Sequence, residues 1–136
     1  MNKKIALYKF LAQKRKLNVL IEGRSMYPTL QEGDEIFIIN DNEYCIGNVV
    51  AFMYNNELVA HRLLKIENDV FFCKGDNAIT IEAIYKYQLI GIVIQFKRKH
   101  IVYDIERIRE NETQRVYKIC AAINSNYLKN HEEITL

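Results

Sequence analysis

The sequence is short of several things, and each shortage removes a class of protein. Its three cysteines, Cys45, Cys73 and Cys120, form no spaced pair, so neither a disulfide framework nor a zinc pattern is indicated. An odd count suits a reducing compartment, and the two that sit inside apolar runs are expected to be buried thiols. No apolar run approaches the roughly 18–20 residues that a membrane span requires. Lys9 interrupts the first apolar stretch, Ile5 to Leu11, and no small-residue cleavage site follows it, which argues against a signal peptide. Net charge is only +2, too little to suggest nucleic acid as a partner. Proline occurs once, as Pro28, and there are no internal repeats or low-complexity linkers. The expectation is a cytoplasmic protein, free or peripheral to a membrane, needing no metal or cofactor.

What is present suits one folded unit. A chain of 136 residues with 49% hydrophobic content has enough apolar surface for a core and is unlike a disordered segment. Its charge is unevenly placed: Lys3, Lys4, Lys9, Lys14, Arg15 and Lys16 all precede the first acid, Glu22. Such a start can touch an anionic surface, lipid or acidic peptide, although a solvated helix face is its commoner use.

Periodicity divides the chain into three parts. Ile5, Tyr8 and Leu11 recur three apart and predict a basic helix within 1–16. Strands are expected at 17–21, 35–39, 48–54, 57–67, 70–74 and 89–96, separated by Gly, Asn and Asp turn signals such as Asn55-Asn56 and Asn68-Asp69. These form a β domain over 17–100. Beyond Asp104 the pattern turns helical: Ile105, Ile108, Val116, Ile119, Cys120, Ile123 and Tyr127 fall roughly on one face. Glu106/Arg109 and Glu112/Arg115 would support that face as i,i+3 pairs. Residues 101–136 therefore read as a C-terminal helical extension, and the fold class as mainly β, a barrel-like core of about six strands with a helix at each end.

A serine becomes a nucleophile only with a base beside it and a donor for the developing oxyanion. Ser25 lies in a loop bounded by Gly23, which permits close backbone approach, and Pro28, which stiffens the chain just after it. Alone, a serine in such a loop is more often a turn residue.

The surrounding residues alter that reading. Gly23-Arg24-Ser25-Met26-Tyr27-Pro28-Thr29-Leu30-Gln31-Glu32-Gly33-Asp34 resembles the Ser-Met-x-Pro-Thr-Leu…Gly-Asp box of signal peptidases and of the self-cleaving SOS-repressor peptidases. Gly47-Asn48-Val49-Val50 resembles the Gly-Asp-Val-Val strand of those enzymes, with Asn48 where Asp is usual. Val59-Ala60-His61-Arg62 resembles their base-bearing strand, and Lys74-Gly75-Asp76-Asn77 their Lys-Gly-Asp-Asn loop. The four segments occur in the family's order within 19–96.

The resemblance implies a serine peptidase with Ser25 as nucleophile and the Ser25 amide in the oxyanion hole. Most bacterial relatives carry lysine immediately before the arginine; this chain has His61, like the endoplasmic-reticulum type of signal peptidase. A neutral imidazole can take and return the Ser25 proton near neutral pH. The carboxylate that should orient His61 is left open between two residues. Glu82 stands, without gaps, where the Ser/His enzymes carry an aspartate, and Asp76 lies in the Lys-Gly-Asp-Asn loop. Arg62 is expected to pair a carboxylate and set its strand.

The resemblance further implies a peptide or precursor protein bound as an extended strand, with small residues before the cut and Met26 and Tyr27 lining the cleft. Processing of a cytoplasmic leader peptide is favoured over membrane-anchored secretion. Two alternatives remain: a self-cleaving regulatory peptidase, for which residues 1–24 leave little room, and a non-catalytic peptide-binding module on a degenerate peptidase fold.

Overall fold

The computed structural model describes residues 2–40, 43–105 and 110–130, with side chains of the last helix described over 111–123. The expected turn at Asp41-Asn42, the residues Glu106, Ile108 and Arg109, and the Tyr127 side chain lie outside the described residues.

The chain opens with α1, Lys3–Gln13. The Asn2 side chain accepts from the Lys4 N–H at 2.8 Å and caps its first turn. The helix stops where Arg15 takes φ +57° and the Lys16 N–H bonds back to the Leu11 carbonyl, a left-handed terminus. Eight strands follow: β1 Leu17–Leu20, β2 Glu35–Ile39, β3 Val49–Tyr54, β4 Glu57–Glu67, β5 Val70–Lys74, β6 Ile81–Tyr85, β7 Leu89–Arg98 and β8 Ile101–Asp104. Helix α2, Glu110–Asn130, comes last. No helix among the described residues is long and apolar enough to cross a membrane.

Every strand pairing is antiparallel, in the order β1-β2-β7-β3-β4-β5-β6. The mainly β architecture with a helix at each end is the expected one. Two strands enlarge it. β6 is short and carries Glu82 and Ala83, weak strand formers, yet it pairs with the whole of β5. β8 is exposed at all four residues and occupies the edge of β7 over Arg98 to Gln95, beyond the segment that β3 uses. The chain after residue 100 therefore extends the sheet before it turns to helix.

The curled sheet uses both faces of β3. Val49, Ala51 and Met53 join Ile5, Ala12, Leu30, Ile36, Ile38 and Val93 in one cluster. Val50 and Phe52 join Leu63, Phe71, Cys73 and Ile84 in the other. This explains the unbroken apolar run of β3, which a one-sided strand would not need. α2 rests Tyr117 against Phe72 and Lys65 and buries Thr113 and Cys120. Its apolar stripe is wider than the face the sheet covers, because Ile119 and Ile123 stay exposed. Glu112 and Arg115 form no ion pair among the described residues; both are exposed, where water leaves such a pair little advantage.

Leu30, fully buried in the first cluster, pins the loop between β1 and β2 to the core. Leu30→Ala is expected to lower the unfolding free energy by about 3 kcal/mol, read from the midpoint of urea denaturation.

Candidate active site

The loop 21–34 is closed at its base by two backbone bonds, Ile21 N–H to the Asp34 carbonyl at 2.8 Å and Gly33 N–H to the Ile21 carbonyl at 3.0 Å. Gly33 permits this with φ +93°, a backbone state that side chains disfavour. Asp34 then accepts two hydrogen bonds from Arg98 of β7, 2.8 Å to one oxygen and 2.6 Å to the other, and a third from the Gln31 N–H at 2.8 Å. Burial pushes the Asp34 carboxyl up, but Arg98 and the Gln31 amide together hold it below its ordinary value. Met26 and Leu30 insert into the core from the same loop, and Ser25 is left at its rim.

A second loop, 75–78, grips the first. The Asn77 N–H donates to the Ser25 carbonyl at 2.8 Å, and the Asn77 side chain to the Arg24 carbonyl at 3.0 Å. The Thr29 hydroxyl donates to Asp76 at 2.6 Å, and the Asp76 N–H meets the Met26 sulfur at 3.3 Å. Gly75 packs so close that a Cβ there would collide with the Ser25 carbonyl. Lys74, buried at the end of β5, spends its ammonium on the Gly75 and Ala78 carbonyls at 2.7 and 2.6 Å. Arg62 completes the clamp from β4, binding both Asp76 oxygens at 3.2 and 2.8 Å and the Gly47 carbonyl at 2.9 Å.

Within this frame the Ser25 hydroxyl lies 3.0 Å from His61 Nε2. His61 Nδ1 lies 2.5 Å from Glu82 Oε1, with the two side chains 12% and 13% exposed. His61 sits on β4 and Glu82 on β6, so the contact reaches across β5, whose Cys73 pairs with both Leu63 and Glu82. Two strand spacings amount to about 10 Å, a distance that favours the longer glutamate side chain over aspartate. Phe52 meets the imidazole edge to face at 5.9 Å and 73°, fixing the ring from the core side. The Ser25 N–H engages no acceptor among the described residues.

Of the two carboxylates left open by the sequence, Glu82 is the one in contact with His61, and Asp76 is committed to Arg62 and Thr29. Met26 is almost wholly buried and contributes only to the floor of the cleft. Tyr27 is not among the residues lining this cleft; its ring packs under the Arg24 guanidinium at 5.2 Å, a cation–π contact. Sequence reasoning missed Thr29, although it lies inside the first quoted segment, and missed Lys4 and Glu57 as cleft residues. It placed Tyr8 on the helix stripe without seeing that this stripe borders the cleft.

That cleft, about 690 Å3, runs from Ser25 and His61 along β4 to Glu57, with Val19 and Ile21 opposite and Lys4 and Tyr8 of α1 on its wall. Among the described residues no strand pairs with the outer edge of β4 over Glu57–His61, since β5 pairs only from Arg62 onward. Among the described residues no group of His, Cys, Asp and Glu is arranged to hold a metal ion.

Asp76 gives the clamp a pH dependence. Burial raises its carboxyl, and Arg62, Thr29 and Lys74 outweigh that and hold it below its ordinary 3.8. A depressed folded-state pKa contributes stability above the unfolded value and loses it as pH falls through the folded one. Asp76→Asn is expected to cost about 2 kcal/mol near neutral pH, and the gap from the wild type should narrow below about pH 4. Chemical denaturation across that range checks both the size and the sign.

A family model described as Peptidase S24-like matches residues 3–94. A search of curated proteins finds no match to the chain.

Proposed function

The chain belongs to the Peptidase S24-like family, which points to peptidase activity, and from that premise we propose that it is a serine endopeptidase with Ser25 as nucleophile, His61 as base and Glu82 as the group that orients the base. The observation that carries this reading is the unbroken contact from the Ser25 hydroxyl through both ring nitrogens of His61 to the Glu82 carboxylate.

Each member has a defined task. Glu82 accepts a hydrogen bond from the Nδ1–H, which holds the tautomer whose Nε2 is unprotonated and faces Ser25. Nε2 takes the Ser25 proton as the hydroxyl oxygen attacks the scissile carbonyl, and Glu82 favours the imidazolium that results. The oxyanion meets the unengaged Ser25 N–H, held in place because the Ser25 carbonyl is tied to Asn77. Imidazolium returns the proton to the leaving amine, and water repeats the cycle on the acyl-enzyme. Asp76 and Arg62 act at one remove, by fixing the nucleophile loop.

The substrate is an extended peptide added to the bare edge of β4, where main-chain bonds supply affinity and alternate side chains meet the cleft walls. The resemblance to signal peptidases favours small residues before the cut, as in a leader or precursor segment. α1 and β1 are themselves built into the core, which favours a substrate other than these two elements.

A fluorophosphonate probe tests the nucleophile. Wild type should label near neutral pH; Ser25→Ala should not label, and His61→Ala should label more slowly by about 10²–10⁴-fold. Absence of wild-type labelling would leave a peptide-binding module. Glu82→Gln should slow peptide cleavage by on the order of 10³-fold, because the amide stabilises the wrong tautomer, whereas an unchanged rate would reduce the triad to a dyad.

A further inference from the structure

α1 has two apolar stripes, and the sheet covers only one. Ile5 and Ala12 are buried and Tyr8 and Leu11 half-buried against the core. Leu7 and Phe10 project elsewhere, 55% and 54% exposed. Residues three and four apart share a helix face, so Leu7 and Phe10 lie in one row with Lys3 before them and Lys14 after. The Lys14 ammonium stands 5.7 Å from the Phe10 ring centre, and both of these lysines are exposed.

Charge singles out this row from the other exposed apolar side chains. Residues 3–16 hold six of the nineteen Lys and Arg residues and none of the seventeen Asp and Glu residues. The rest of the chain is therefore net acidic, and the molecule carries its positive end on α1. We propose that this outer face of α1 docks on an anionic lipid surface, with Leu7 and Phe10 entering the headgroup boundary and the surrounding lysines and Arg15 meeting lipid phosphates.

The pattern favours lipid over an acidic protein. A helix recognised in a protein groove presents apolar anchors at i, i+3 or i+4, and i+7. Here the row has two anchors, and the positions beyond them are Lys3 and Lys14. A short apolar centre with long cations at both ends suits an interface in which alkyl stems lie down and ammonium groups reach the headgroups. Each basic residue near such a surface adds to the attraction, and two modest apolar insertions supply the remainder of a reversible attachment. The next row of the same helix bears Lys4 and Tyr8, which line the cleft, so docking brings the cleft beside the lipid surface.

The test uses the full chain with vesicles of phosphatidylcholine, alone and mixed with phosphatidylglycerol. Sedimentation should show binding to the mixed vesicles, weakened by salt, and little to the neutral ones. Leu7→Ser with Phe10→Ser should weaken binding about tenfold or more at unchanged charge, and Lys3→Glu with Lys14→Glu should abolish it. Both double variants should keep the wild-type circular dichroism and fluorophosphonate labelling. Failure to bind mixed vesicles overturns the proposal. So does binding that survives the double serine change, which would be diffuse charge attraction alone. Binding of a polyglutamate peptide that is lost on the same serine changes, without vesicle binding, would assign the face to an acidic protein instead. Vesicle binding by a protein that does not label at Ser25 would remove the peptidase reading and leave the docking intact.

Discussion

The site depends on Asp76 holding three parts of the chain together. Its oxygens take Arg62 from β4 and Thr29 from the Ser25 loop, and its own amide touches the sulfur of Met26 in that loop. Arg62 in turn reaches back to the Gly47 carbonyl at the entry to β3. A carboxylate this enclosed is tolerable only because a guanidinium, a hydroxyl and a nearby ammonium share its charge. Remove the charge and the middle of the Ser25 loop loses its tie to Arg62, leaving the Asn77 bonds to the Ser25 and Arg24 carbonyls and the Asp34–Arg98 pair at the base.

Around this clamp the roles of the acidic residues separate by geometry. Asp34 and Arg98 secure the base of the loop, Asp76 and Arg62 its middle, and Glu82 is left for His61. Two arginines on two strands thus absorb the two aspartates. Of these three carboxylates, the one without an arginine is the one in contact with the imidazole, where the proposed reaction would use a negative charge to favour the protonated ring.

Much of this was legible in the sequence, for identifiable reasons. Alternation and turn residues located β2, β4 and β5 to the residue, because each is long enough or sharply enough bounded to show its period. β6 escaped because Ile81-Glu82-Ala83-Ile84-Tyr85 mixes weak strand formers with an acid whose position is decided by a partner two strands away. β8 escaped because all of its side chains are exposed, so burial never wrote a period into it. The quoted segments brought Ser25, His61 and the two carboxylates forward, but the choice between Asp76 and Glu82 turns on which one Arg62 claims, and that is a fact of register. The outward row of Leu7 and Phe10 was hidden by the inward stripe of the same helix; two apolar faces on one short helix blur each other in any periodicity.

The reach of Glu82 across β5 has a mechanical meaning. His61 and Glu82 ride on strands of one hydrogen-bonded ladder, so their separation is set by strand spacings that resist stretching. Ser25 rides on a loop, and its distance to the imidazole is the compliant dimension of the assembly. Heat, pressure or a distant substitution will therefore reach this centre along one coordinate, the seating of the loop at residues 75–78, well before it disturbs the other two members.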